Sequence, residues 1–132
     1  MKNQRIIPLI GALIVLALVV TACNKGGSSP TATAKAFYDA SKSKDVPGMK
    51  SQMSKKTLDT LDKALKAQNK SVDDFLKETN DKEPPPATFE ARNEKINGDT
   101  ATLEVSDGKG GWEPFSFIKE DGQWKLNILG GD

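Results

Sequence analysis

The chain has 132 residues, with 19 Lys and Arg against 18 Asp and Glu, one cysteine and no histidine. A balance this close to neutral projects no broad field toward nucleic acid or anionic lipid. With no imidazole and a single thiol, the composition excludes His general bases, Cys–His nucleophilic pairs, the usual zinc ligand sets and any internal disulfide framework.

The first 22 residues are built unlike the rest. Lys2 and Arg5 give a positive start, Ile6 to Val20 an apolar middle and Thr21-Ala22 a small-residue exit, which is the layout of a secretory signal peptide. The run is near the lower limit of the ~20 residues a spanning helix needs, and Pro8 sits near its start, so a removed leader fits better than a retained anchor. Val20-Thr21-Ala22-Cys23 closes the run and resembles the lipobox of bacterial lipoproteins. That resemblance implies a diacylglyceryl group on the Cys23 thiol and cleavage that leaves Cys23 as the new N-terminus. Two acyl chains hold a protein to a bilayer where one does so marginally, each buried CH2 contributing ~0.8 kcal/mol.

The expected organisation is therefore a lipoprotein signal peptide over 1–22, a lipidated flexible tether over 23–30 and one α+β domain over 31–132. Losing Lys2 and Arg5 with the leader leaves 17 basic against 18 acidic residues, in a mature chain long enough for one modest core. The expected address is the cell envelope, with the membrane as partner through the lipid on Cys23. Asn24 follows Cys23 and no Asp occupies that place, which resembles lipoproteins sent on to an outer membrane if two membranes are present. With one membrane, the domain faces outward from it.

Asn24 to Pro30 (NKGGSSP) is rich in Gly and Ser and reads as a spacer. Thr31 or Thr33 can cap a first helix, with Ala36, Phe37 and Ala40 on one side and Tyr38 beside them. Asp45-Val46-Pro47-Gly48 breaks the chain and restarts it, and Met49 and Met53 sit i, i+4 on a short second helix. Leu58, Leu61 and Leu65 line a third helix whose wet side carries the acid-first pairs Asp59–Lys63 and Asp62–Lys66. Ser71 with Asp74 forms a capping arrangement for a fourth, which carries Val72, Phe75 and Leu76. Asn80 to Pro86 (NDKEPPP) ends the helical half, because three prolines in a row forbid helix.

Strand patterns fill the remainder. Phe89 to Ile96 is a polar first strand suited to an edge, and Asn97-Gly98-Asp99 a turn whose loop length is two or three residues. Thr100 to Val105 alternates with Ala101, Leu103 and Val105 on one face. Asp107 to Gly111 (DGKGG) connects to a third strand, Trp112 to Glu120. Asp121-Gly122 then turns into a fourth, Gln123 to Leu129. With that two-residue loop, Lys119 faces Trp124, Phe117 faces Leu126 and Phe115 faces Ile128, so the large apolar side chains share one face.

Helices followed by an antiparallel meander predict an α+β domain, with the N-terminal helices packed on a curved four-stranded sheet. FYDA (Phe37 to Ala40), GDTATLEV (Gly98 to Val105) and FSFIKEDGQWKL (Phe115 to Leu126) resemble bacterial lipoproteins of domain-of-unknown-function family 4878, within the nuclear transport factor 2-like superfamily. The resemblance implies a cone-like, cystatin-like domain with a cavity between sheet and helices, and it brings no catalytic residue and no cofactor. The superfamily includes isomerases, whose chemistry needs a carboxylate base and an acidic donor desolvated in the cone. Tyr38 and Glu113 are the pair that could be asked to supply them. Tyr38 reads instead as a rim residue, and Glu113 lies at a strand end beside the glycine turn.

Tyr38, Trp112, Phe115, Phe117 and Trp124 are the candidates for a pocket or a partner contact. The competing expectation for these aromatics is simply the core of a small domain, most of all for Phe115 and Phe117 together with Leu126. Trp112 differs, because on a regular strand it points away from the face of Phe115. The functional expectation is a non-catalytic module that binds a small ligand or an envelope protein, and not nucleic acid. An isomerase-like or hydratase-like enzyme and a purely structural envelope protein are the alternatives.

Overall fold

A computed structural model describes residues 27–129; Cys23 and the leader-like segment lie outside them. Within the described residues four helices come first, each opened by a side chain that accepts a hydrogen bond from its first turn. Ser29 caps α1 (Pro30–Lys42), with Pro30 as the first helical residue, and Asp45 caps α2 (Val46–Ser51). Ser54 caps α3 (Lys55–Lys66) and Ser71 caps α4 (Val72–Lys82). In α4 the cap is reciprocal: Asp74 N–H donates to the Ser71 hydroxyl, which donates to the Asp74 carboxylate at 2.6 Å.

Three boundaries differ from expectation, each for a physical reason. Thr31 and Thr33 fall inside α1 because a proline at the first helical position moves the cap upstream to Ser29. Met53 leaves α2 and forms a β-bridge with Leu126. Helix α4 runs through Asn80, a weak helix former, because the buried Asn80 amide donates to the Ser41 carbonyl at 2.9 Å.

The strands are β1 (Ala91–Asn97), β2 (Thr100–Ser106), β3 (Trp112–Glu120) and β4 (Gln123–Leu126). They form an open antiparallel sheet in the order β1-β2-β3-β4. At the last hairpin Asp121 and Gly122 both take positive φ, 50° and 76°, the signature of a type I′ turn. Lys119 then pairs with Trp124 and Phe117 with Leu126, as expected. The pairing expected between Phe115 and Ile128 does not form. β4 stops at Leu126, and Ile128 stays 50% exposed. The first hairpin has the two-residue loop, with Asn97 opposite Thr100.

Helix α1 lies against the sheet and is held from both of its edges. Thr33 donates its hydroxyl to the Trp124 carbonyl of β4 at 2.9 Å, and Thr31 N–H donates to the Glu94 carboxylate of β1 at 2.9 Å. Three strand spacings of ~4.8 Å separate those edges in a flat sheet, so the sheet curls around the helix. The core has two parts. Ala34, Ala101, Leu103, Phe117, Trp124 and Leu126 fill the space between α1 and the sheet. Val46, Met49, Met53, Leu65 and Leu76 fill the space among the helices, and Phe37 packs against both groups.

The outer edge of β4 is closed by chain from the helical half. Trp124 N–H donates to the Gly27 carbonyl at 3.2 Å, Leu126 N–H to the Gln52 carbonyl at 2.7 Å, and Ser54 N–H to the Leu126 carbonyl at 2.7 Å. Gly27 N–H in turn donates to the Thr33 hydroxyl at 3.0 Å. The arm expected to run free as far as Pro30 is thus bonded to the domain from Gly27 onward. A side chain at 27 would meet the first turn of α1, since a Cβ there would lie 2.4 Å from Thr33 N.

Candidate functional site

Among the described residues the sheet buries one face against α1 and leaves the other free of helices from Trp112 to Ser116. At its β4 end Lys125 and Glu120 bond to Ser51 and Lys55 of the helical half. The candidate aromatics divide between the two faces. Phe117 (1% exposed) and Trp124 (4%) are core residues beneath α1, with Phe115 packed beside them and partly buried. Regular pairing across all of β3 puts Trp112 on the opposite, helix-free face, three residues before Phe115. It is half-buried there.

Tyr38 has a different task. Its hydroxyl reaches the carbonyls of Pro86 and Ala87, 2.8 and 2.9 Å away. Its ring lies 5.5 Å from that of Phe89, tilted by 49°. Tyr38 therefore pins the proline segment across the end of α1, where that segment carries the chain from α4 to β1. Glu113 is exposed on β3. The two residues an isomerase-like site would recruit are thus one hydroxyl committed to backbone carbonyls and one carboxylate in water.

On the helix-free face three residues converge that the sequence did not single out. The Arg92 guanidinium lies over the Trp112 ring, 4.0 Å from its centroid. Its Nε donates to the Glu104 carboxylate at 2.9 Å, and the Asn93 amide donates to the same oxygen. These two donors hold the Glu104 carboxyl below its ordinary value, the Asn93 bond being the larger cause. Two neighbours in sequence reach one acceptor because β1 is bulged. The register shifts between Arg92 and Lys95, and Asn93 takes φ 54°, so consecutive side chains turn to one face. The result is a planar cation clamped between an indole and a carboxylate, a pair that at exposed sites contributes ~0.5–1 kcal/mol.

The loop leading into Trp112 is wound on one carboxylate. The Asp107 side chain accepts from Lys109 N–H at 2.7 Å and Gly111 N–H at 2.9 Å, and these bonds hold it below its ordinary value. Trp112 therefore starts from a fixed turn. Elsewhere, a cleft of about 210 Å³ lies between helices, floored by Val46, Met49 and Leu76 and rimmed by Lys44, Lys77 and Asp81. Glu78 on α4 is held at about 2 by hydrogen bonds from Lys70 and then Lys82. Among the described residues no group of three or more His, Cys, Asp or Glu could hold a metal ion, and no helix is long and apolar enough to cross a membrane.

Trp112 could be picked out from sequence by strand parity alone. Arg92 and Glu104 could not, because their pairing depends on a bulge that no pattern of side chains announces.

The model of the family described as "Domain of unknown function (DUF4878)" matches residues 21–127, so the chain belongs to that family. No curated protein and no solved structure matches it.

Proposed function

We propose that this DUF4878 member is a lipid-anchored lipoprotein of the cell envelope, a non-catalytic module that binds a small ligand or a protein partner through the helix-free face of its sheet. The anchor is Cys23, on the strength of the lipobox-like tetrad before it. Kinship with the nuclear transport factor 2-like superfamily is part of the reading, supported by a sheet that curls around α1. The observation that carries the binding role is the Arg92–Trp112–Glu104 stack. An indole and a guanidinium, the side chains enriched at the energetic centres of interfaces, are held in place before any partner arrives. Catalysis is disfavoured because the Tyr38 hydroxyl is engaged, Glu113 is solvated, and Leu103, Phe117 and Trp124 occupy the space under α1.

Native mass spectrometry of the protein, purified from its own host in mild detergent, tests this directly. The expected result is a lipidated chain carrying a reproducible non-lipid adduct or a stoichiometric protein partner. Trp112→Ala abolishes that association, and Ser116→Ala, on the same face, keeps it. A bare lipidated chain, or an association indifferent to Trp112, overturns the binding role.

A further inference from the structure

We propose that the end of the sheet marked by Gly27 is held against the lipid headgroups, and that the end carrying Trp112 stands away from them; the inference rests on the reading of Cys23 as lipidated. The length of the tether limits how the domain can sit. Gly27 is bonded to the Trp124 amide on one side and to the Thr33 hydroxyl on the other, so the domain already holds the chain at that point. Only residues 24–26 separate it from Cys23. Four residue steps span at most about 14 Å in any conformation. Gly27 sits level with Trp124, which pairs with Lys119. Trp112 lies seven residues further along β3, about 23 Å at ~3.3 Å per residue. The tether is thus shorter than the sheet is long. A spacer free as far as Pro30 would let the domain tumble; one that ends at Gly27 lets one end of the sheet approach the bilayer and leaves the other outside.

Charge plays little part in this contact. The Gly27 end carries Lys55 and Lys119, but also Glu120 and Asp121, and Lys55 lies 4.0 Å from the Asp121 carboxylate. Mixed signs at this spacing give no net attraction to an anionic surface. The occupant of this end is therefore the headgroup layer of any bilayer that takes the lipid, anionic or not. The Arg92–Trp112 stack then faces outward, where a soluble or envelope partner meets it without competing with lipid.

The experiment uses the full chain, matured by a host that lipidates it and reconstituted in phosphatidylcholine vesicles bearing a headgroup quencher. With Cys23 occupied by lipid, Ser28→Cys and Lys109→Cys each supply one free thiol for a fluorophore, the first beside Gly27 and the second in the loop before Trp112. The label at 28 is expected to be quenched several-fold more than the label at 109, with the ratio unchanged when phosphatidylglycerol is added. A Gly/Ser insert of about 20 residues between positions 26 and 27, with an r.m.s. reach of ~25 Å, erases the difference. Equal or reversed quenching in the lipidated chain overturns the orientation. A ratio that appears only with phosphatidylglycerol also overturns it, in favour of charge-driven docking. Intact mass is read on the same samples, so a chain without lipid that fails to bind vesicles registers as failure of the anchor itself.

Discussion

The two edges of the sheet are opposites. β4 is four residues long and is one of the best-protected parts of the domain, whereas β1 is seven residues long and exposed from Arg92 to Asn97. Length does not decide which edge is strong; what lies across it does. Gly27, Gln52, Ser54 and Thr33 satisfy the outward amides and carbonyls of β4. β1 instead carries a bulge and the charged run Arg92-Asn93-Glu94-Lys95, devices that keep an open edge from pairing with another chain. One edge is given to the fold and takes up the incoming chain at Gly27. The other supplies Arg92 to the helix-free face.

The largest effect should come from breaking the closed edge at its core. Trp124→Ala removes a buried indole and is expected to cost ~3–5 kcal/mol in urea unfolding. A loss no larger than that of a surface substitution would mean β4 does not hold the domain together. Thr33→Val keeps the shape but removes the hydroxyl that links Gly27 to Trp124, leaving buried polar groups unpaired. It should cost ~1–3 kcal/mol by the same assay. Arg92→Ala on the open edge is expected to change stability by ~1 kcal/mol or less, while weakening any Trp112-dependent association.

The smallest effect is one of acidity. The folded value of Glu104 lies below its ordinary 4.5, so its hold on Arg92 and Asn93 is complete above that pH and fades as pH falls beneath it. Amide hydrogen exchange in β1 should quicken as pH is lowered through this range, after correction for intrinsic rates, before that of Trp124 and Leu126. Simultaneous loosening of both edges would erase the contrast.

Most of the closed edge was legible in sequence, and little of the open one. The register of β3 and β4 follows from Asp121-Gly122 and from apolar parity, because a one-residue slip would expose Phe117 and Leu126. The end of β4 at Leu126 was not legible, since Ile128 continues the alternation and only the tertiary path takes it out of the sheet. Nor was the start of the fold. Gly27 reads as linker from its neighbours, and its place beside Thr33 is set by a close approach between segments that composition does not encode. On the open edge, the bulge at Asn93 hid the convergence on Glu104. Tyr38 was legible as a helix residue but not as the latch on the proline segment, which depends on where that segment crosses α1.

The envelope address and the orientation of the domain both pass through Cys23, so the mass of the mature protein taken from its host membrane is the most direct measurement. The expected result is a chain that begins at Cys23, is heavier than its polypeptide by at least a diacylglyceryl group and is recovered in the detergent phase. A mass equal to the bare polypeptide, or recovery with the soluble cytoplasmic proteins, would contradict it.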